Sequence, residues 1–137
     1  MNITFKITSL PKDQEKYRLI SDTEGSIEIE HNGDILFFYN EILLAEFARI
    51  LKQWLIIRKN TDTINMIYNS MDIEEEPVLL FRPDTDDSFF VESAIYDVPK
   101  HDSISGHEIA GTLNKYIDTL DQELKSRLGD ISSFTWL

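Results

Sequence analysis

The stretch SIEIEHNGDILFFY, residues 26–39, sets Asn32-Gly33 between two runs that alternate apolar and polar side chains. A two-residue hairpin connection needs positive φ at both central positions, which Asn and Gly adopt at the least steric cost. Residues 26–39 are therefore expected to form an antiparallel hairpin, and any fold for this chain must be built to cover one face of it. NITFKITSL, residues 2–10, supplies a further strand, with Ile3, Phe5 and Ile7 alternating against Thr4, Lys6 and Thr8 until Pro11 ends the run. YRLIS, residues 17–21, reads as another short strand, closed by the turn residues of DTEGS.

The period then changes. In NEILLAEFARILKQWLIIRK, residues 40–59, Leu43, Phe47, Ile50, Leu51 and Trp54 recur at helical spacing, and Leu44, Leu55 and Ile56 widen the stripe. Asn40 is placed to cap the first turn, and Arg58 and Lys59 suit the negative end of the helix dipole. NTDT breaks the pattern. INMIYNSM, VLLFRP and FFVESAIYDV follow as strands, the last alternating Phe90, Glu92, Ala94 and Tyr96 with Val91, Ser93 and Ile95. SGHE gives Ser105 as an N-cap and Glu108 three residues on, the reciprocal capping box. Ile109, Leu113, Tyr116, Ile117, Leu120, Leu124 and Leu128 form the second helical stripe, with Lys125 and Arg127 in its last turn and Gly129 as the C′ residue. The tail DISSFTWL, residues 130–137, is apolar enough to dock. The order implies an α+β fold over residues 1–137, one domain: an antiparallel sheet of about five to six strands with two main helices packed on one face.

Composition narrows the function. The 137 residues hold no cysteine, so disulfides, thiolate metal sites and cysteine nucleophiles are excluded. With 42% hydrophobic residues the chain can build a core, so its charge is not a sign of disorder. MNITFKITSL lacks the basic head and apolar run of a secretory signal, and no run of 18 apolar residues occurs. The expected location is the cytoplasm. Net charge is −12, and it is unevenly placed. Residues 1–60 carry eight Lys/Arg against nine Asp/Glu, a net of −1; residues 61–137 carry five against sixteen, a net of −11. Such a surface repels nucleic acid and anionic lipid and attracts basic proteins. Neither nucleic acid nor membrane is an expected partner.

The densest acidity is DIEEEPVLLFRPDTDD, residues 72–87, in which two acidic runs flank a strand at opposite ends. Asp84, Asp86 and Ser88 start like a calcium loop, but Phe89 stands where Gly is required and Ile95 where Glu is required. HEIAG, residues 107–111, begins like the zinc-binding H-E-x-x-H and then offers Gly111. His101, His107 and Asp102 match no metal-ligand spacing, and His31 sits beside the hairpin turn. A nucleophile elbow and a glycine-rich phosphate loop are both missing from the sequence. No catalytic, metal or cofactor residue emerges, and no cofactor is expected. Phe47, Trp54 and Tyr116 lie on helical stripes and belong to the core. Of the adjacent aromatics Phe37, Phe38, Tyr39 and Phe89, Phe90, alternation turns some away from it. The remaining role for Asp72, Glu74, Glu75, Glu76, Asp84, Asp86 and Asp87 is electrostatic docking, with Phe89 beside them as an apolar anchor. The plain alternative is a solvated surface.

The layout ILLAEFARILKQWL, then EPVLLFRP, then HEIAGTLNKYIDTLDQEL resembles small cytosolic immunity proteins encoded beside polymorphic or contact-dependent toxins in bacteria. The matching residues are chiefly Leu51, Trp54 and Leu55 and the Glu76-Pro77 lead into a strand. These are structural positions, so no binding residue carries across. The resemblance implies a monomer or weak homodimer that binds a cognate toxin, commonly a nuclease with a basic cleft, and blocks it. An adaptor of phage or mobile-element origin, or a small-ligand-binding protein or enzyme, are the alternatives.

Overall fold

The computed structural model describes residues 1–12, 16–61 and 63–129. The tail expected to dock, residues 130–137, lies outside the described residues. The fold is α+β. Strands β1 (Asn2–Ser9), β2 (Glu24–His31) and β3 (Asp34–Leu43) form one antiparallel sheet in that order. Strands β4 (Met66–Tyr68), β5 (Leu79–Pro83), β6 (Ser88–Glu92) and β7 (Ile104–Ser105) form a second antiparallel sheet in that order. Helix α1 (Lys16–Asp22) links β1 to β2, α2 (Leu44–Arg58) links the two sheets, and α3 (Gly106–Leu128) closes the described chain. The single sheet expected from the sequence is thus two, of three and four strands, divided by α2.

The hairpin forms as its turn chemistry demands. Asn32 and Gly33 take φ of 51° and 85°, and Ile29 pairs with Phe37 across the ladder. On β2, Ile27 and Ile29 face inward; on β3, Phe37 is buried and Phe38 is turned out.

Residues 17–21 are helical, not a strand. Leu19, Ile20 and Thr23 are all buried, and a strand would send Leu19 and Ile20 to opposite faces, whereas one helical face takes both. Asn40 is not a cap either. Strand β3 continues through it to Leu43, and α2 starts inside the protein, where the Leu44 N–H donates to the Thr23 carbonyl at 2.9 Å. That backbone acceptor satisfies an orphan donor that a cap would otherwise serve.

Helix α2 packs against the second sheet and α3 through two aromatic side chains seven residues apart. Phe47 meets Tyr68 of β4 and Tyr116 of α3, with ring centroids at 4.8 and 5.7 Å. Trp54 meets Phe81 of β5 and Phe89 of β6 at 5.9 and 5.5 Å, and its indole N–H donates to the Ile64 carbonyl at 3.0 Å. Leu51 and Leu55 fill between them. Strand β6 stops at Glu92, short of the expected Val98. The Ser93 hydroxyl donates to the Val78 carbonyl at 2.6 Å and accepts the Ile95 and Tyr96 N–H groups, which turns the chain out of the sheet.

Helix α3 starts as expected: the Glu108 N–H donates to the Ser105 hydroxyl at 3.1 Å. The reciprocal half of the box is not made, because the Glu108 carboxylate instead accepts from the Met1 amino group and lies 3.2 Å from His31 Nδ1. That hydrogen bond lowers the Glu108 pKa, against a small opposing effect of burial. At the far end Gly129, at φ 83°, donates to the Lys125 carbonyl.

Candidate docking surface

Residues 69–78, between β4 and β5, carry the first acidic run, and buried groups pin this loop from below. Glu46, in the first turn of α2, is almost fully buried. One of its carboxylate oxygens accepts the Tyr68 hydroxyl at 2.8 Å, and the other accepts the Met71 N–H at 3.3 Å. Burial is the main reason that the Tyr68 hydroxyl is raised well above a normal tyrosine, with Glu46 adding to it and the Ser70 hydroxyl opposing it. The Ser70 hydroxyl accepts the Asp72 N–H at 3.2 Å, and the Val78 N–H closes the loop onto the Tyr68 carbonyl at 2.9 Å. Ile73 turns inward into the core, and the Glu76–Pro77 peptide is cis.

With Ile73 inside, Asp72, Glu74, Glu75 and Glu76 are left outside. All four are exposed, and among the described residues none makes an ion pair or a side-chain hydrogen bond. Next to them Met71 is 65% exposed, and Ile67, outward on edge strand β4, is 51% exposed. Exposed apolar side chains next in the chain to unpaired carboxylates are a combination that a basic protein surface would complement.

The second run, Asp84–Asp87, is a turn between β5 and β6, at the other end of a five-residue strand and therefore roughly 17 Å from the first. Its chemistry is partly conformational. Asp86 and Asp87 take φ of 55° and 53°, a left-handed backbone that Asp tolerates better than most residues. Among the described residues, Asp84 and Asp86 are exposed and unpaired. Asp87 is already engaged within the protein. Its carboxylate holds Arg58 Nη2 at 2.7 Å, and its carbonyl accepts the Gly106 N–H at 2.7 Å, tying the end of α2 to the start of α3.

Phe89, expected as the anchor beside these acids, is fully buried against Trp54. In a strand this short, which parity faces the core depends on what lies beneath, and α2 lies beneath Phe89 and Val91. Phe90 is the outward member, between the Arg82 guanidinium at 5.1 Å and the His101 ring at 5.8 Å. The large apolar side chains exposed nearest the first acidic run are Met71 and Ile67 instead. The alternation of Met66, Ile67 and Tyr68 could have flagged Ile67; nothing in the sequence flags Met71.

Lys52, Lys59 and His107, with the Arg58–Asp87 ion pair, line a cavity of about 320 Å³ between the end of α2 and the start of α3. Among the described residues, no three His, Asp or Glu side chains converge as metal ligands would, and no helix is long and apolar enough to cross a membrane.

Fold and surface together define an α+β protein gathered round one central helix, with a pinned, unpaired acidic loop at one sheet edge. The family model of DUF7878, a domain of unknown function, matches residues 3–126, and the chain belongs to that family. No curated protein and no solved structure matches the chain.

Proposed function

We propose that this protein is a non-catalytic inhibitor of the immunity type, which binds a cognate basic protein toxin in the bacterial cytoplasm and blocks it. A nuclease fits best as the target, because a cleft that binds phosphates is basic and four unpaired carboxylates can occupy it. The observation that carries this reading is the loop holding Asp72, Glu74, Glu75 and Glu76 free of intramolecular partners around an exposed Met71. A surface kept only for solubility has no need of a buried Glu46 that fixes the loop from beneath. Charge alone would give fast but weak association, so Met71 and Ile67 supply the desolvated centre.

The test is capture from lysate of the native cell with wild type and with a variant carrying Asp72→Asn, Glu74→Gln, Glu75→Gln and Glu76→Gln. The expected result is one basic protein held by wild type alone, released as salt rises, whose cleavage of RNA or DNA the wild type suppresses. Equal capture by both forms, or a captured protein whose activity is untouched, overturns the reading.

A further inference from the structure

Sheet edges expose unpaired backbone N–H and C=O groups, and each edge in this fold can be checked for what covers it. Strand β4 is three residues long and leads into the acidic loop, and β7 is two residues long. The outer edge of β3 has the Tyr96 hydroxyl against the Ile35 carbonyl at one end and α1 packed near the other. Strand β1 is different. It is eight residues long, pairs only with β2, and borders an open groove of about 680 Å³ between itself and α3. The floor of that groove is apolar: Ile3 and Phe5 are only half-buried, and Phe5 stands edge-on to Tyr116 at 5.5 Å. Among the described residues the edge is occupied at its start, where the Thr112 hydroxyl donates to the Met1 carbonyl at 3.0 Å.

The charge of this edge is also exceptional. Residues 1–12 contain Lys6 and Lys12 and no acid, in a chain of net charge −12. Between Asn2 and Ile7 the strand holds no inward-pointing charge and no proline, Lys6 on its outer face is its one charge, and the bulge comes after Ile7.

We infer that β1 is a self-pairing edge, through which two copies of this chain join their three-stranded sheets into one six-stranded antiparallel sheet. The strand meets the requirements of its own groove. A two-fold axis through Phe5, perpendicular to the sheet, sets Phe5 against the second copy's Phe5, Ile3 against the second copy's Ile7, and Lys6 against the second copy's Thr4. Apolar side chains then oppose apolar ones on the inner face, and no like charges oppose on the outer face. The half-exposed Ile3 and Phe5 become covered between the two α3 helices, where Gly111, Thr112 and Thr119 leave room.

This inference does not depend on the acidic loop, and salt separates the two. Screening weakens docking of a basic partner but strengthens association of two acidic copies. The experiment is sedimentation equilibrium of the full chain from about 5 to about 500 µM, at low and moderate salt, paired with amide exchange of residues 3–7. A seam of one five-residue ladder is small, so dissociation in the range of about 10–500 µM is expected. Support is a dimer that tightens with salt and whose β1 amides gain protection as concentration rises. Ile3→Lys, an inward charge on the edge, is expected to weaken it by about tenfold or more. Lys115→Glu, on the exposed side of α3 where folding is not at stake, is expected to weaken it in the same direction. A monomer throughout overturns the inference. So does a dimer indifferent to both variants, β1 protection that is independent of concentration, or protection that comes only with a different protein bound.

Discussion

Phe89 and Met71 both adjoin acidic runs, and the structure gives them opposite duties. Phe89 lies fully buried against Trp54, so Phe89→Ala removes a ring and leaves a cavity; a loss of about 3–5 kcal/mol is expected in urea unfolding. Met71→Ala is expected to change stability by less than about 0.5 kcal/mol. It should nonetheless cost more than about 1 kcal/mol of binding to a captured basic partner, measured by titration calorimetry. Gly106 is a third informative position. A Cβ there would lie 2.2 Å from Arg58 Nη2 and 2.6 Å from Asp87 Oδ1, so Gly106→Ala must disturb the ion pair joining α2 to α3. In the wild-type background a loss of about 1–3 kcal/mol is expected. In a chain already carrying Arg58→Ala and Asp87→Ala, the same substitution should be neutral or stabilising, because Ala favours a helix by about 1 kcal/mol over Gly. A cost of equal size in both backgrounds would remove the ion pair as the reason for glycine.

At the scale of elements, the acidic loop owes its shape to a group that it does not contain. Glu46→Ala strands the Tyr68 hydroxyl and the Met71 N–H without their acceptor, at a cost of about 2–4 kcal/mol. It should also speed amide exchange across residues 70–76 and weaken partner binding with every surface acid still present. Faster exchange with unchanged binding would show that the loop docks without being pinned. The sequence made the elements visible in proportion to how local their causes are. Asn32-Gly33 states its own turn, and the stripes of α2 and α3 state their own faces. Helix α1 escapes the pattern because, among its described side chains, Leu19 and Ile20 alone are buried, too few to separate a helical period from a strand. Asn40 is no cap because the Leu44 N–H that opens α2 is served by the Thr23 carbonyl, 21 residues upstream, which no local pattern encodes. The burial of Phe89 likewise follows from a contact with Trp54, 35 residues upstream on α2. The exposed carboxylates were legible as a run of charge, while the loss of Asp87 to Arg58 depends on a contact between residues far apart in the chain.

For the molecule as a whole, charge sets the conditions of stability as well as of binding. Two tyrosines are locked in the interior in neutral form. Tyr116 donates from its hydroxyl to the Leu44 carbonyl at 2.7 Å, and Tyr68 donates to Glu46. Burial raises both hydroxyls above a normal tyrosine value of 10.0. The unfolded chain gives up these protons near pH 10 while the folded chain keeps them, so above that pH the folded state holds more protons. Stability is then complete below about pH 10 and falls as pH rises further, by up to about 1.4 kcal/mol per pH unit for each tyrosine. Alkaline unfolding followed by circular dichroism, with urea midpoints taken at several pH values, should show this slope. Tyr68→Phe and Tyr116→Phe should each lower stability near neutrality, because each leaves an acceptor short, yet each should flatten the alkaline decline. The two effects have opposite dependence on pH, so a variant's stability curve should approach that of wild type as pH climbs past 10. Parallel curves would mean that these hydroxyls do not carry the alkaline transition, and that accumulating negative charge on an already acidic surface drives it instead.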